Sequence, residues 1–203
     1  MVALEDPESF TGFEAVLFDC DGTLADTHPA HYLALAATLA PFGLEIGREW
    51  YEGYTGTSTP ETIKAALDGQ GVRSDGELIG RLVAECGERY LDHLAAVTEI
   101  TPVTALARQL TGRLPLAVAS GGTRRTVEAT LRHLGLDGLF TRVVTRDEVE
   151  RGKPAPDVFL LAARQLGVEP AACVVLEDAD SGLLAARRAG MAVVDVRGRS
   201  AAR

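Results

Sequence analysis

The stretch VLFDCDGTLADT, Val16 to Thr27, puts two carboxylates two residues apart where a short apolar run ends. Asp19 and Asp21 are followed at once by Gly22 and Thr23. Two like charges beside a buried strand end repel each other. Either the pair lies in a solvated turn, or a cation sits against it.

The run that precedes the pair, AVLF (15–18), is one of five that are long enough for a buried strand and too short for a helix. The others are PLAVA (115–119), RVVT (142–145), CVVL (173–176) and MAVVDV (191–196). From the second run onward, helical patterns separate them at Thr123 to Leu134, Pro156 to Leu166 and Ser181 to Ala189. Gly135, Gly167 and Gly190 follow these helices at the place of C-terminal caps. Apolar strands alternating with helices predict an α/β fold, a doubly wound parallel sheet with a Rossmann-like core.

Between the first and second runs the rhythm changes. Residues 29–97 predict no strand but three helices, near Pro29–Ala40, Pro60–Leu67 and Glu77–Leu94. The expected organisation is therefore a core of residues 1–27 and 98–203, with a helical cap, 28–97, inserted after the first strand. ADTH (25–28) and VTEITP (97–102) are expected to be its linkers, and DGQGVRSDG (68–76) an interhelical loop.

Composition narrows the function. The chain has 203 residues, 46% of them hydrophobic and 24% charged, with a net charge of −9. An acidic surface argues against nucleic-acid or anionic-membrane binding, and no apolar run approaches the roughly 18 residues of a membrane span. The first residues, MVALEDPESF, lack signal-peptide character. Cys20, Cys86 and Cys173 match neither zinc ligands nor a disulfide framework. A cytoplasmic protein is expected, with monomer as the default state.

Ligands in open α/β sheets bind beyond the carboxyl ends of the strands. That edge collects Asp19 and Asp21, Ser120, and Glu177 with Asp178; Lys153 follows the third strand. Four carboxylates on one rim raise one another's pKa, and a hard divalent cation removes that cost. Oxygen ligands alone suit Mg²⁺ better than zinc. Lys153, the Ser120 hydroxyl and the backbone of Gly121 and Gly122 complete a receptor for a phosphoryl group. Asp19 is then a candidate nucleophile and Asp21, pointing the same way, a candidate acid and base. Cys20, between them, should face the core.

Taken in order, DCDGTL, ASGG, GKPAPD and LEDADSG resemble the four motifs of the haloacid dehalogenase superfamily of phosphohydrolases, across residues 15–197. The resemblance implies Asp19 as nucleophile, Asp21 as acid/base, and Ser120 and Lys153 as phosphate binders. It implies Mg²⁺ held by Asp19, the Asp21 backbone carbonyl and Asp178, with Glu177 assisting. A helical insert after the first motif resembles the β-phosphoglucomutase-like subgroup. The stretch PAACVVLEDADSGLLAARRAGMAVVDVR (170–197) is most similar to bacterial fructose-1-phosphate phosphatases of broad sugar-phosphate range. His31 matches a histidine of that cap. Where mutases carry a cap arginine and a cap lysine, this chain has Thr59 and Cys86, which favours hydrolysis over a mutase holding a bisphosphate.

The implied activity is an Mg²⁺-dependent phosphatase of small phosphorylated metabolites, with a sugar phosphomutase and a non-catalytic phosphosugar- or partner-binding module as alternatives. Several residues keep two readings. Ser120 binds phosphate, caps the helix near Thr123, or does both, and Glu177 is either a ligand or stands behind one. Asp180 reads as the N-cap of the next helix. His31, Thr57, Ser58 and Thr59 contact substrate or merely shape the cap; Arg89 and His93 read as a solvated face.

Overall fold

The computed structural model describes Leu4 and residues 6–197. Its strands, in chain order, are β1 (Ala15–Phe18), β2 (Ala25–Asp26), β3 (Thr98–Glu99), β4 (Leu116–Ala119), β5 (Arg142–Val144), β6 (Cys173–Glu177) and β7 (Ala192–Asp195). The helices are α1 (His28–Leu39), α2 (Arg48–Glu52), α3 (Thr59–Gly69), α4 (Gly76–Asp92), α5 (Thr101–Leu110), α6 (Arg124–His133), α7 (Asp157–Leu166) and α8 (Asp180–Arg188). All five apolar runs became strands of one parallel sheet, in the order β5-β4-β1-β6-β7.

Alternation along β1 explains why both faces are covered. Val16 and Phe18 join one apolar layer with Val103 and Leu106 of α5 and Val127 and Leu131 of α6. Leu17 joins the other with Phe159 and Ala162 of α7 and Ala185 and Ala186 of α8. Small residues on α7 and α8 let those helices lie close to the sheet. The chain moves outward from β1 through β4 to β5, then returns across β1 to β6 and β7. The strand order therefore reverses at β1, the place where an α/β sheet opens a crevice for ligands. Register sharpens this: Phe18 lies opposite Val118 and Leu176, so the three central strands end almost level.

Two compact units result: residues up to Asp26 with those from Thr98 onward, and Thr27–Val97. The second unit contains α1 to α4 and no strand, and is the inserted helical cap. Leu35 and Leu39 of α1, Ile63 and Leu67 of α3, and Leu82 and Tyr90 of α4 are buried in it. Among the described residues no helix is long and apolar enough to cross a membrane.

Four details differ from the sequence-based expectation. Helix α2 stands at Arg48–Glu52, a stretch for which no helix was expected. The presumed linkers are ordered: Ala25–Asp26 pairs antiparallel with Thr98–Glu99, and the Ile100 amide donates to the Leu24 carbonyl at 2.9 Å. Helix α5 starts at Thr101, inside the second presumed linker, with Pro102 in its first turn, where a missing N–H is harmless. Asp180 is not an N-cap. Ala179, extended at φ −99° and ψ 141°, holds that position, while Asp180 is the first helical residue and accepts from Arg197 at 2.7 Å.

Leu17 is fully buried at the centre of the sheet. Leu17→Ala should lower the unfolding free energy by about 2–5 kcal/mol in urea titration. A loss below about 1 kcal/mol would contradict its place in the packed layer.

Candidate active site

Strand ends position the acids. Asp19 is the first residue beyond β1, its amide bound to the Leu176 carbonyl at 3.0 Å, while Glu177 closes β6 and Asp178 follows. The chain then turns sharply after Asp19, because the Cys20 carbonyl accepts from the amides of Thr23, Leu24 and Ala25 at 3.3, 3.0 and 3.0 Å. Gly22 makes that turn possible with φ +87°, and a Cβ there would also strike the Asp178 carboxylate. Asp178 Oδ1 accepts from the Thr23 hydroxyl at 3.1 Å. The DCDGT turn and the ED pair thus lock together across β1 and β6.

Lys153 reaches into this edge from the loop between β5 and α7. Its Nζ donates to Asp19 Oδ1 at 2.5 Å and to Glu177 Oε2 at 2.7 Å. The three side chains are only 9%, 7% and 1% exposed, so these charges lie out of water. The ammonium also stands 4.9 Å from the centre of the Phe159 ring, a further favourable contact for a buried cation. Glu177 is fixed at its other oxygen, where Oε1 accepts from Ala179 N at 3.0 Å and Asp178 N at 3.3 Å. Gly182 permits this, since a Cβ there would collide with the Glu177 side chain.

Oxygens of Asp19, Glu177 and Asp178 lie within 4.8 Å of one another. Burial, then the charge of Glu177, pushes the Asp19 carboxyl well above the usual carboxylate range, with Lys153 opposing and Asp178 and Asp21 adding to the rise. Burial and Glu177 likewise push Asp178 up to about 6. Burial works against the Lys153 charge, but Asp19 and Glu177 outweigh it and hold the ammonium above the ordinary lysine range. One cation shared among three carboxylates leaves the cluster short of positive charge. Its donor set is all oxygen, the chemistry a hard divalent cation takes.

Asp21 lies outside that three-residue cluster, beside the end of β4. Ser120 Oγ makes a long contact of 3.5 Å to Asp21 Oδ2 and accepts from Gly122 N at 3.0 Å. Ser120 is fully buried, and α6 is capped not by it but by Thr123, whose hydroxyl accepts from Thr126 N at 3.3 Å. A backbone turn separates Thr123 from the strand end, so the cap of α6 does not fall to Ser120. Cys20 is buried in the core, where desolvation and then Asp21 and Asp19 raise its thiol far above the ordinary value.

In the helical unit, His31 stacks on the buried Tyr90 ring at 4.4 Å. Ser58 is the N-cap of α3: Glu61 Oε2 accepts from its amide at 3.2 Å and from its hydroxyl at 2.5 Å. Thr57 and Thr59 are exposed beside it. Arg89 pairs with Glu85 at 2.7 Å, and Cys86 is a buried thiol raised to about 11 by desolvation. Thr23 and Gly182 were not assigned from the sequence, although both stand inside quoted motifs. Their signal was spacing within DCDGTL and LEDADSG, which names no partner until β1 and β6 are paired.

Removing one of three crowded charges while keeping an acceptor for Thr23 should relieve repulsion. Asp178→Asn is expected to raise the unfolding free energy of the metal-free protein at pH 7, by on the order of 1–3 kcal/mol. A lower urea midpoint than wild type would show that the cluster is not under like-charge stress.

A family model described as haloacid dehalogenase-like hydrolase matches residues 13–190. Fructose-1-phosphate phosphatase YqaB of Escherichia coli (strain K12) is 38% identical over 185 residues, covering 91% of this chain and 97% of that protein. Beta-phosphoglucomutase of Bacillus subtilis (strain 168) is 30% identical over 196 residues, covering 90% and 83%. Among solved structures, CbbY from Rhodobacter sphaeroides in complex with phosphate superposes with a TM-score of 0.81 at 30% identity, covering 94% of this chain and 89% of that one.

Proposed function

The chain belongs to the haloacid dehalogenase-like hydrolase family, and we propose that it is a phosphatase of small phosphorylated sugars acting through an aspartyl-phosphate on Asp19. The observation that carries this is the buried Lys153 ammonium held between Asp19 and Glu177, with Asp178 alongside. A binding module needs charge to hold a phosphate, but it does not need a nucleophilic carboxylate buried against a lysine. The similarity to a fructose-1-phosphate phosphatase supports the sugar-phosphate class.

In this mechanism an Asp19 oxygen attacks phosphorus and the bond to the leaving oxygen breaks. Asp21 gives that oxygen a proton, then takes one from the water that hydrolyses the acyl phosphate. Acid–base assistance of this kind is worth about 10²–10⁴ in rate. Ser120 and the Gly121 backbone hold the non-bridging oxygens, and Lys153 balances the charge that develops on them. Asp19, Asp178 and the Asp21 backbone carbonyl would hold Mg²⁺, with Glu177 standing behind them through Lys153. When bound, the cation offsets the carboxylate repulsion and polarises the phosphoryl group. Three buried, unpaired cysteines fit a reducing cytoplasm.

The mutase alternative requires cationic grips in the cap, and the place matched to its lysine is the buried Cys86. Release of inorganic phosphate from a panel of phosphosugars, with Mg²⁺ present, separates the two reactions. Phosphosugars should release phosphate; isomerised product without phosphate would favour the mutase. Asp19→Asn should leave less than about one thousandth of wild-type turnover with the fold intact. Substantial turnover in that variant would remove Asp19 as nucleophile. Chelation should abolish turnover and Mg²⁺ restore it, and activity that survives exhaustive chelation would sink the metal assignment.

A further inference from the structure

Lys153 has a flexible four-carbon stem, yet its ammonium must stand within 2.7 Å of two carboxylates. The backbone beneath it must therefore be fixed. That backbone belongs to the connection 145–156, which holds a short 3₁₀ segment at Arg146–Glu148 and a turn at Lys153–Pro154, closed by the Ala155 amide donating to the Gly152 carbonyl at 3.0 Å.

Two arginines supply the tether, one on each side. The Arg146 amide donates to the Gly122 carbonyl at 3.0 Å, joining the loop to the turn after Ser120. Its guanidinium then reaches along the loop to the carbonyls of Val149 at 2.7 Å and Glu150 at 3.3 Å. The same side chain lies against Gly152, the residue before Lys153. A Cβ there would stand 2.9 Å from Arg146 Nε and 3.0 Å from Cδ. A side chain at 152 would have to displace Arg146 from this path. On the other side, Arg188 at the end of α8 donates to the Pro154 carbonyl at 2.9 Å. Among the described residues neither arginine forms an ion pair; both bind loop carbonyls instead.

We infer that Arg146 and Arg188 are positioning residues that hold Lys153 at its station between Asp19 and Glu177. Their contribution is made through Lys153, and it rests on the phosphatase assignment of this site. Lys153 matters most when charge develops on the transferring group, so loss of the clamps should act on kcat more than on KM. An ångström-scale misplacement of a reacting group can cost about 10²-fold.

The test is steady-state hydrolysis of p-nitrophenyl phosphate with Mg²⁺ by wild type, Arg146→Met, Arg188→Met and Arg188→Lys, alongside urea midpoints. Arg132→Met, which removes only a bond to Glu128, is the control. Both methionine variants should lose about tenfold or more in kcat, with KM within about threefold and a midpoint close to wild type. Arg188→Lys keeps a donor for Pro154 and should recover most of the loss; the control should match wild type. An unchanged kcat in both methionine variants, or a fall that only follows lost folding, overturns the clamp and leaves the phosphatase assignment standing. A wild type that releases phosphate neither from this ester nor from any phosphosugar of the panel overturns both.

Discussion

Everything at the carboxyl edge of the sheet follows from one buried cation among acids. Lys153 bonds Asp19 and Glu177 where none of the three side chains sees more than a tenth of its surface in water. Removing such charges from solvent is expensive, and the attraction repays it only when geometry and further hydrogen bonds are good. Glu177 meets that condition by taking two amides at its second oxygen, and Asp178 by accepting from Thr23. Even so, three carboxylates share one ammonium, and that imbalance suits the edge to a hard cation and an electrophilic phosphoryl group.

The rest of the core fold serves to make this grouping rigid. Parallel pairing of β1 with β4 and β6 ends the strands level, which brings residues more than 150 positions apart in sequence into hydrogen-bond contact, as with Thr23 and Asp178. Two glycines then remove the atoms that would prevent closure, Gly22 against Asp178 and Gly182 against Glu177. Rigidity comes from backbone carbonyls and amides more than from side-chain ion pairs. Exposed pairs such as Arg151 with Asp157 contribute little by comparison, since water and salt screen them.

The sheet was legible because its strands are buried on both faces, which leaves compact apolar runs such as AVLF and CVVL. Asp19, Ser120, Lys153, Glu177 and Asp178 were legible because strand ends in an α/β sheet share an edge. The two-residue strands at Ala25–Asp26 and Thr98–Glu99 were not, since so short a segment carries no periodicity and owes its pairing to distant residues. Helix α5 had a readable pattern in Val103, Leu106, Ala107 and Leu110, hidden by treating Thr101 and Pro102 as linker. Asp180 was misplaced by one position because α8 starts behind Ala179, which offers no capping side chain for a local rule to recognise. The Arg146 and Arg188 clamps were invisible because their acceptors are carbonyls, which every residue has.

An acid cluster short of positive charge should take up a divalent cation. Thermal unfolding of metal-stripped protein against increasing Mg²⁺ tests it directly, because a ligand that binds only the folded chain raises the midpoint in a saturable way. A saturable rise is the predicted result. A midpoint that stays flat through millimolar Mg²⁺, in the presence of inorganic phosphate as well as without it, would contradict the account.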